Sequence, residues 1–239
     1  MDPAASVDRA LAMRAEGAAL IDVGGESTRP GALPISPEEE MRRVLPVVEA
    51  LVAVVDCPIS VDTSEPLVMQ AALAAGAVVI NDMRALVRHG AARIVAEGGG
   101  AVILGHWGGH NGVPGVEPRY DDVVQEVCHD LHERAAAAQD AGVGSIWVDP
   151  GFGFHKALPH NLQLLRELQR VVALGYPVVV GFSRKSMLGA LTGRGVHDRM
   201  AAGLAAAVLA VLQGACVVRT HDVAQTVDAL HMVRACSVS

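Results

Sequence analysis

Seven short apolar runs in this chain of 239 residues end in a side chain that ionises or hydrogen-bonds. Those ends carry Asp22, Asp62, Asn81 with Asp82, His106, Asp149, Ser183 with Lys185, and Arg219 with His221. An acid after a strand often caps the next helix, and any single case is explained that way. Taken together they converge on one rim, and Asp62 and Asp149 precede their turns rather than opening helices. Carboxylates and a carboxamide on rigid strand ends suit a planar heterocycle rich in N–H donors, held by paired hydrogen bonds. Opposite them, Arg29, Lys185, Arg219 and His221 suit an anionic group such as a phosphate. In "SRKSMLG", Ser186 stands where a helix begins, and free backbone N–H groups there favour an anion. The rim is bipolar, which leaves the reaction open.

The elements that must present these residues are legible as an alternation. The strand candidates are "ALIDVGG" (19–25), "CPISVDT" (57–63), "AVVINDM" (77–83), "AVILGH" (101–106), "SIWVDPG" (145–151), "PVVVGFS" (177–183) and "CVVRTH" (216–221). Each is a continuous apolar run, as expected of strands covered on both faces. Between them lie helices with readable ends. Asp2-Pro3 opens one that runs to about Gly17, and Ser36-Pro37-Glu38-Glu39 opens another with a capping box. Ser64-Glu65-Pro66 starts a third, which Gly76 ends. Further helices are expected over about 120–141, 161–174, 198–215 and Asp222 to Ala235. The 198–215 stretch is almost wholly small and apolar, so it should pack tightly.

Strict alternation implies parallel strands joined by right-handed crossovers. An open doubly wound sheet would carry an early G-x-G-x-x-G turn, and "DVGGEST" is not one. The expected fold is α/β, a TIM (β/α)8 barrel in one domain over 1–239, lacking its first strand, since the chain begins with a helix. The missing strand is placed upstream of Met1. A barrel without it has two unpaired edges, an invitation to association.

Composition narrows the function classes. The net charge of −7 and the lack of any Lys/Arg block argue against a nucleic-acid partner. No apolar run approaches the ~18 residues that span a bilayer, and no charged start precedes an apolar segment. Cys57, Cys128, Cys216 and Cys236 are widely spaced and read as reduced thiols, in keeping with a cytoplasmic protein. Asp56, His129, His132 and His231 read as surface residues.

In order and spacing, "DVGGESTRPG" (22–31), "SVDT" (60–63), "IND" (80–82), "DPGFGFHK" (149–156), "GFSRKSMLG" (181–189) and "VRTHDV" (218–223) resemble the dihydropteroate synthases. The resemblance implies a folate-pathway transferase, the target of sulfonamides. Such an enzyme joins 6-hydroxymethyl-7,8-dihydropterin pyrophosphate to p-aminobenzoate and releases pyrophosphate. It implies that Asp62, Asn81, Asp149 and Lys185 hold the pterin, with Arg219 stacked on its face. Arg219, His221 and Arg29 would line the pyrophosphate site. Thr28, Arg29, Pro30, Phe154, Lys185 and the backbone at Ser186 would build the p-aminobenzoate site. Asp62, Lys185, Arg219 and His221 become the catalytic set, and Gly151 and Gly153 let the loop turn so that Phe154 faces inward.

Mg2+ is implied as cofactor, and a homodimer through the late helices, around 198–235. The family's Mg2+-binding Asn sits in a first-strand motif that nothing here matches. A second departure is "LGHWGGHNGVPG" (104–115), where the family has Met before His106. Here Gly105 leaves the pterin pocket roomier, and Trp107 compensates. His106, Trp107 and His110 suggest a metal or stacking site but read as an ordinary active-site loop. Two rivals stand beside the synthase: a pterin-binding paralogue without catalysis, and a methyltetrahydrofolate-dependent methyltransferase. "SRKS" and "VRTHD" argue against the methyltransferase, which has no pyrophosphate to hold.

Overall fold

The computed structural model describes residues 2–26, 34–108 and 118–237. All seven expected strands are present within their anticipated runs. The chain folds as two compact units, Met1–Leu104 with Arg134–Ile146, and Gly105–Glu133 with Trp147–Ser239.

In the first unit, β1 (Ile21–Gly24), β2 (Ile59–Asp62), β3 (Val79–Asp82) and β4 (Ala101–Gly105, here to Leu104) pair in parallel and in chain order. The helices are α1 (Pro3–Ala15), α2 (Pro37–Val54), α3 (Pro66–Ala74) and α4 (Ala91–Glu97). Asp2 caps α1 by accepting the Ala4 N–H at 3.0 Å, and Ser36 caps α2 through the Glu39 N–H at 3.2 Å. The reciprocal half of that capping box is replaced. The Glu39 carboxylate takes the Arg42 and Arg43 guanidiniums at 2.8 and 2.6 Å, because charge-assisted bonds outweigh a neutral backbone donor. Helix α4 has no counterpart among the expectations. It is a seven-residue segment opened by Gly90 at φ +80, too short for a 3.6-residue period to show.

The second unit holds β5 (Ile146–Asp149) beyond its first residue, β6 (Val179–Gly181) and β7 (Val217–Arg219). Val148 bridges Val178, and β6 pairs with β7 in parallel, Gly181 beside Arg219. Its core gathers Val124, Leu131, Phe152, Leu164, Val180 and Phe182 from around these strands, the two Phe rings 4.6 Å apart. Burial of such side chains contributes about 1.5–3 kcal/mol apiece. Around them run α5 (Val123–Asp140, here to Glu133), α6 (Leu158–Arg166), α7 (Leu168–Val172), α8 (Ser186–Thr192), α9 (Met200–Leu212) and α10 (Val223–Ser237).

Two helix expectations change here. The segment 161–174 is two helices, broken at Glu167 with φ −108 and ψ 22, a break that no Gly or Pro announces. The apolar 198–215 stretch becomes α-helical only from Met200, after a 3-10 turn over Val196–Asp198, and it buries a single face. Ala206, Ala207 and Ala210 are covered, while Leu209 and Leu212 stay 53% and 59% exposed. No helix among the described residues is long and apolar enough to cross a membrane.

Candidate functional site

In the first unit the polar tips follow from register. Gly24 stands opposite Asp62, and Asp62 opposite Asn81, so three neighbouring strands end level. Asn81 is 4% exposed and donates from Nδ2 to Asp22 Oδ2 at 3.2 Å. Its Oδ1 is buried with no hydrogen-bond partner among the described residues. An unanswered buried acceptor costs about 1–3 kcal/mol, so this oxygen is open to a donor from beyond the described residues. Asp62 is half-buried beside it.

Asp82, one residue on, has a different task. Its carboxylate takes the Ser64 hydroxyl and the N–H groups of Arg84 and Leu86, the last two at 2.8 Å. Ala85 and Leu86 sit at φ 52 and 55, an arrangement side chains avoid, and Asp82 holds that turn. Here the capping explanation holds. Glu40 of α2 is also buried, and desolvation pushes its carboxyl up against the hydrogen bond from Thr63. Sequence reading missed it, since a third Glu in a first helical turn looks like solvent-facing dipole compensation.

In the second unit, β5 ends at Asp149, which is 5% exposed and accepts the Gly151 N–H at 2.7 Å. Burial pushes its carboxyl up, while Lys185, the Gly151 N–H, Lys156 and Arg219 pull it down. Lys185, at the head of α8, donates to the Phe152 carbonyl, and its ammonium lies 4.3 Å from the centre of the Phe154 ring. Trp107 packs on the same ring, centroids 4.9 Å apart. Ser186 is the first residue of α8, as expected. Exposed Arg219 ends β7. His221 follows, its Nδ1 3.0 Å from Ser183 Oγ, and that hydroxyl donates to Asp222 Oδ2 at 3.3 Å.

The loop between β5 and α6 is fixed by two side chains that sequence reading gave no role. Lys156 is 8% exposed, and its Nζ reaches His106 Nδ1 at 2.9 Å and the carbonyls of His106, Gly151 and Phe154 at 3.1, 3.0 and 3.2 Å. Desolvation lowers this amine to about 7. Asn161 accepts the Gly153 N–H at 2.7 Å and donates to the carbonyls of Lys156 and Ala157, both at 2.9 Å. Gly151 and Gly153 sit at φ +70 and +78, as the tight turn demands. A Cβ on Gly151 would fall 1.9 Å from the His106 carbonyl oxygen.

Asp62 and Asn81 therefore share the strand tips of one unit, and Asp149, Phe154, Lys185, Ser186, Arg219 and His221 belong to the other. Asp22 is bonded to Asn81 from two residues before the β1 end, not at the tip the sequence suggested. Thr28, Arg29, Pro30 and His110 lie outside the described residues. His106 is not a metal ligand here, because its ring nitrogens face Lys156 and Asp130. No group of three His, Cys, Asp or Glu side chains among the described residues is placed to hold a metal ion. Those residues do not by themselves fit a protein-held Mg2+.

Within the second unit the Asp149 carboxylate stands in the field of Lys185 and Arg219, a set suited to a donor-rich ring carrying an anionic group. The sequence model for "Pterin binding enzyme" matches residues 1–221, and the chain belongs to that family. Its relatives there are dihydropteroate synthases. The chain is 45% identical to that of Escherichia coli (strain K12) over 232 residues, 96% of this chain and 82% of the relative. Identity to that of Mycobacterium leprae (strain TN) is 44%, covering 98% and 86%. Among solved structures, Xanthomonas albilineans dihydropteroate synthase with 4-aminobenzoic acid superposes with a TM-score of 0.93 at 49% identity, covering 99% and 86%. The same protein in complex with 7,8-dihydropteroate gives a TM-score of 0.90 at 46% identity, covering 99% and 89%. The α/β fold expected from the alternation is the fold of these enzymes.

Proposed function

We infer that the protein acts as a dihydropteroate synthase, condensing 6-hydroxymethyl-7,8-dihydropterin pyrophosphate with p-aminobenzoate to dihydropteroate and pyrophosphate. Near-full-length identity of about 45% to synthases carries this reading. The family resemblance supports Asp62, Asn81, Asp149 and Lys185 as the residues that hold the pterin. Arg219 and His221 with Arg29 take the pyrophosphate end. Thr28, Arg29, Pro30, Phe154 and the Ser186 N–H receive p-aminobenzoate. Asp62, Lys185, Arg219 and His221 do the catalytic work.

The chemistry these groups support is dissociative. As the C–O bond to pyrophosphate breaks, Lys185, Arg219 and His221 stabilise the departing charge, and Asp62 stabilises the electron-poor pterin left behind. The amine of p-aminobenzoate then forms the C–N bond and gives up one proton to solvent. No side chain need act as a nucleophile. Mg2+ carried in on the pyrophosphate, rather than held by the described residues, would supply further charge neutralisation there.

The purified 239-residue chain, given both substrates with and without Mg2+, should form dihydropteroate, and Arg219→Ala should reduce the rate by about 10²-fold or more. Tight pterin binding with no turnover at saturating p-aminobenzoate would instead establish the non-catalytic reading. The exposed Leu209, Leu212 and Met232 on α9 and α10 support a homodimer through the late helices, which sedimentation checks. Cys57, Cys128, Cys216 and Cys236 form no disulfide, in keeping with a cytoplasmic location.

A further inference from the structure

His106 has a proton arrangement that its neighbours dictate. Its Nε2 lies 3.3 Å from Asp130 Oδ2 on α5, and its Nδ1 lies 2.9 Å from Lys156 Nζ. An ionised carboxylate only accepts, so the imidazole keeps its hydrogen on Nε2 and leaves Nδ1 bare. The Lys156 amine donates to that bare nitrogen whether charged or neutral. The opposite tautomer would aim an N–H at the amine and a lone pair at the carboxylate. Burial and the Lys156 charge hold His106 down at about 4, with Asp130 opposing, so the ring is neutral at physiological pH.

The same amine ties down both members of the aromatic pair. It binds Phe154 through that residue's own carbonyl, and Trp107 through the carbonyl of the residue before it. It also binds the Gly151 carbonyl, so both ends of the turn carrying Phe154 are held from one point. Gly108, next along from Trp107, runs so close to His155 that a Cβ there would meet its Cβ at 2.9 Å. Asp149 and Lys185 also act on Lys156 electrostatically, but Asp130 is what orients the histidine.

We propose that Asp130, His106 and Lys156 form a positioning relay that sets the Phe154–Trp107 pair for the second, aromatic substrate. This rests on the reading that Phe154 faces p-aminobenzoate. None of the three touches substrate; they act through the loop. The effect is therefore a loss of fit for one substrate and not a loss of chemistry.

Asp130 is the place to test it, because its side chain is 27% exposed and its replacement leaves the core intact. Asp130→Asn offers both a donor and an acceptor to Nε2, which releases the lock on the tautomer. Long-range 1H–15N spectra of the imidazoles, with His106 assigned by its loss in His106→Gln, should show a neutral Nε2–H ring from about pH 5 to 9. In Asp130→Asn the Nδ1–H form should emerge. KM for p-aminobenzoate should then rise about tenfold, with kcat and the Kd for pterin pyrophosphate each within about twofold. Asp130→Glu should restore the tautomer and most of the KM. A wild-type His106 protonated on Nδ1, or titrating near 6.5, overturns the relay, as does an unchanged KM in Asp130→Asn. If the chain makes no dihydropteroate, the tautomer still reports on the relay, and only the assignment of the substrate fails.

Discussion

The strand tips of the first unit and the loop after β5 in the second present polar groups by opposite means. Asp62 and Asn81 are level because parallel register makes them so, and the ladder that fixes them is the one that builds the unit. Asp149 ends its strand the same way, but Phe154 lies five residues beyond, past two left-handed glycines and just before His155 at φ 41. No ladder reaches that far, so Lys156 and Asn161 hold the loop from inside. A strand delivers geometry as a by-product of folding. A loop needs side chains committed to that purpose, and these add sensitivity to pH and to small steric changes.

The largest effect expected from this contrast separates two neighbouring kinds of strand-end acid. Asp149→Asn should lower the rate of dihydropteroate formation by about 10²–10³-fold, because the paired recognition by a carboxylate is lost. Asp82→Ala, which removes a cap from the turn at Ala85 and Leu86, should lower stability by about 1–3 kcal/mol in urea unfolding while leaving the Kd for pterin unchanged. If Asp82→Ala abolished pterin binding while the chain remained folded, the division of the β3 tip into a ligand-facing Asn81 and a turn-holding Asp82 would be wrong.

That division also marks how far sequence alone reaches. Asp62, Asn81 and Asp149 were legible because apolar runs are easy to see and a polar residue ending one stands out. Asp82 looked the same, and only its three hydrogen bonds reveal a cap. Lys156 is in plain view in "DPGFGFHK" yet gets no role from the sequence, since Lys is almost never buried. What buries it is a cage of carbonyls whose directions depend on the positive φ values of the glycines, a feature with no linear pattern. Asn161 and Asp130 were hidden for the same reason, each meeting its partner only once the loop has turned. The exposed face of α9 contradicted its wholly small and apolar composition.

Acid should separate the two regions next. Folded His106 titrates at about 4 against an ordinary 6.5. The unfolded chain therefore takes up this proton first, and stability present above pH 6.5 is lost as pH falls towards 4, by up to about 3 kcal/mol. Burial shifts Glu40 and Asp82 in the first unit the other way, so acid does not penalise them similarly. Asp149 is also raised and partly offsets the histidine within the second unit. His106→Gln isolates the contribution. Its unfolding free energy should vary less between pH 6.5 and 4 than that of the unaltered chain, and equal slopes would remove the histidine from the account.

The smallest pair of effects tests the comparison at its steric root. Gly151→Ala puts a Cβ 1.9 Å from the His106 carbonyl oxygen at a residue already at φ +70. Neither the β4 end nor the turn can yield without giving up the Lys156 contacts, so a loss of about 1–3 kcal/mol is expected, read as a lower urea midpoint. Gly24→Ala puts its Cβ 3.5 Å from that of Asp62, an ordinary contact in a strand of regular backbone. Its stability should change by no more than about 0.5 kcal/mol. The new methyl nonetheless stands against the Asp62 side chain, so it should weaken pterin binding through position alone. A folded Gly24→Ala with a raised pterin Kd, beside a Gly151→Ala that loses stability first, is the pattern that register and cage require. The reverse pattern would place the strain in the strands and the tolerance in the loop.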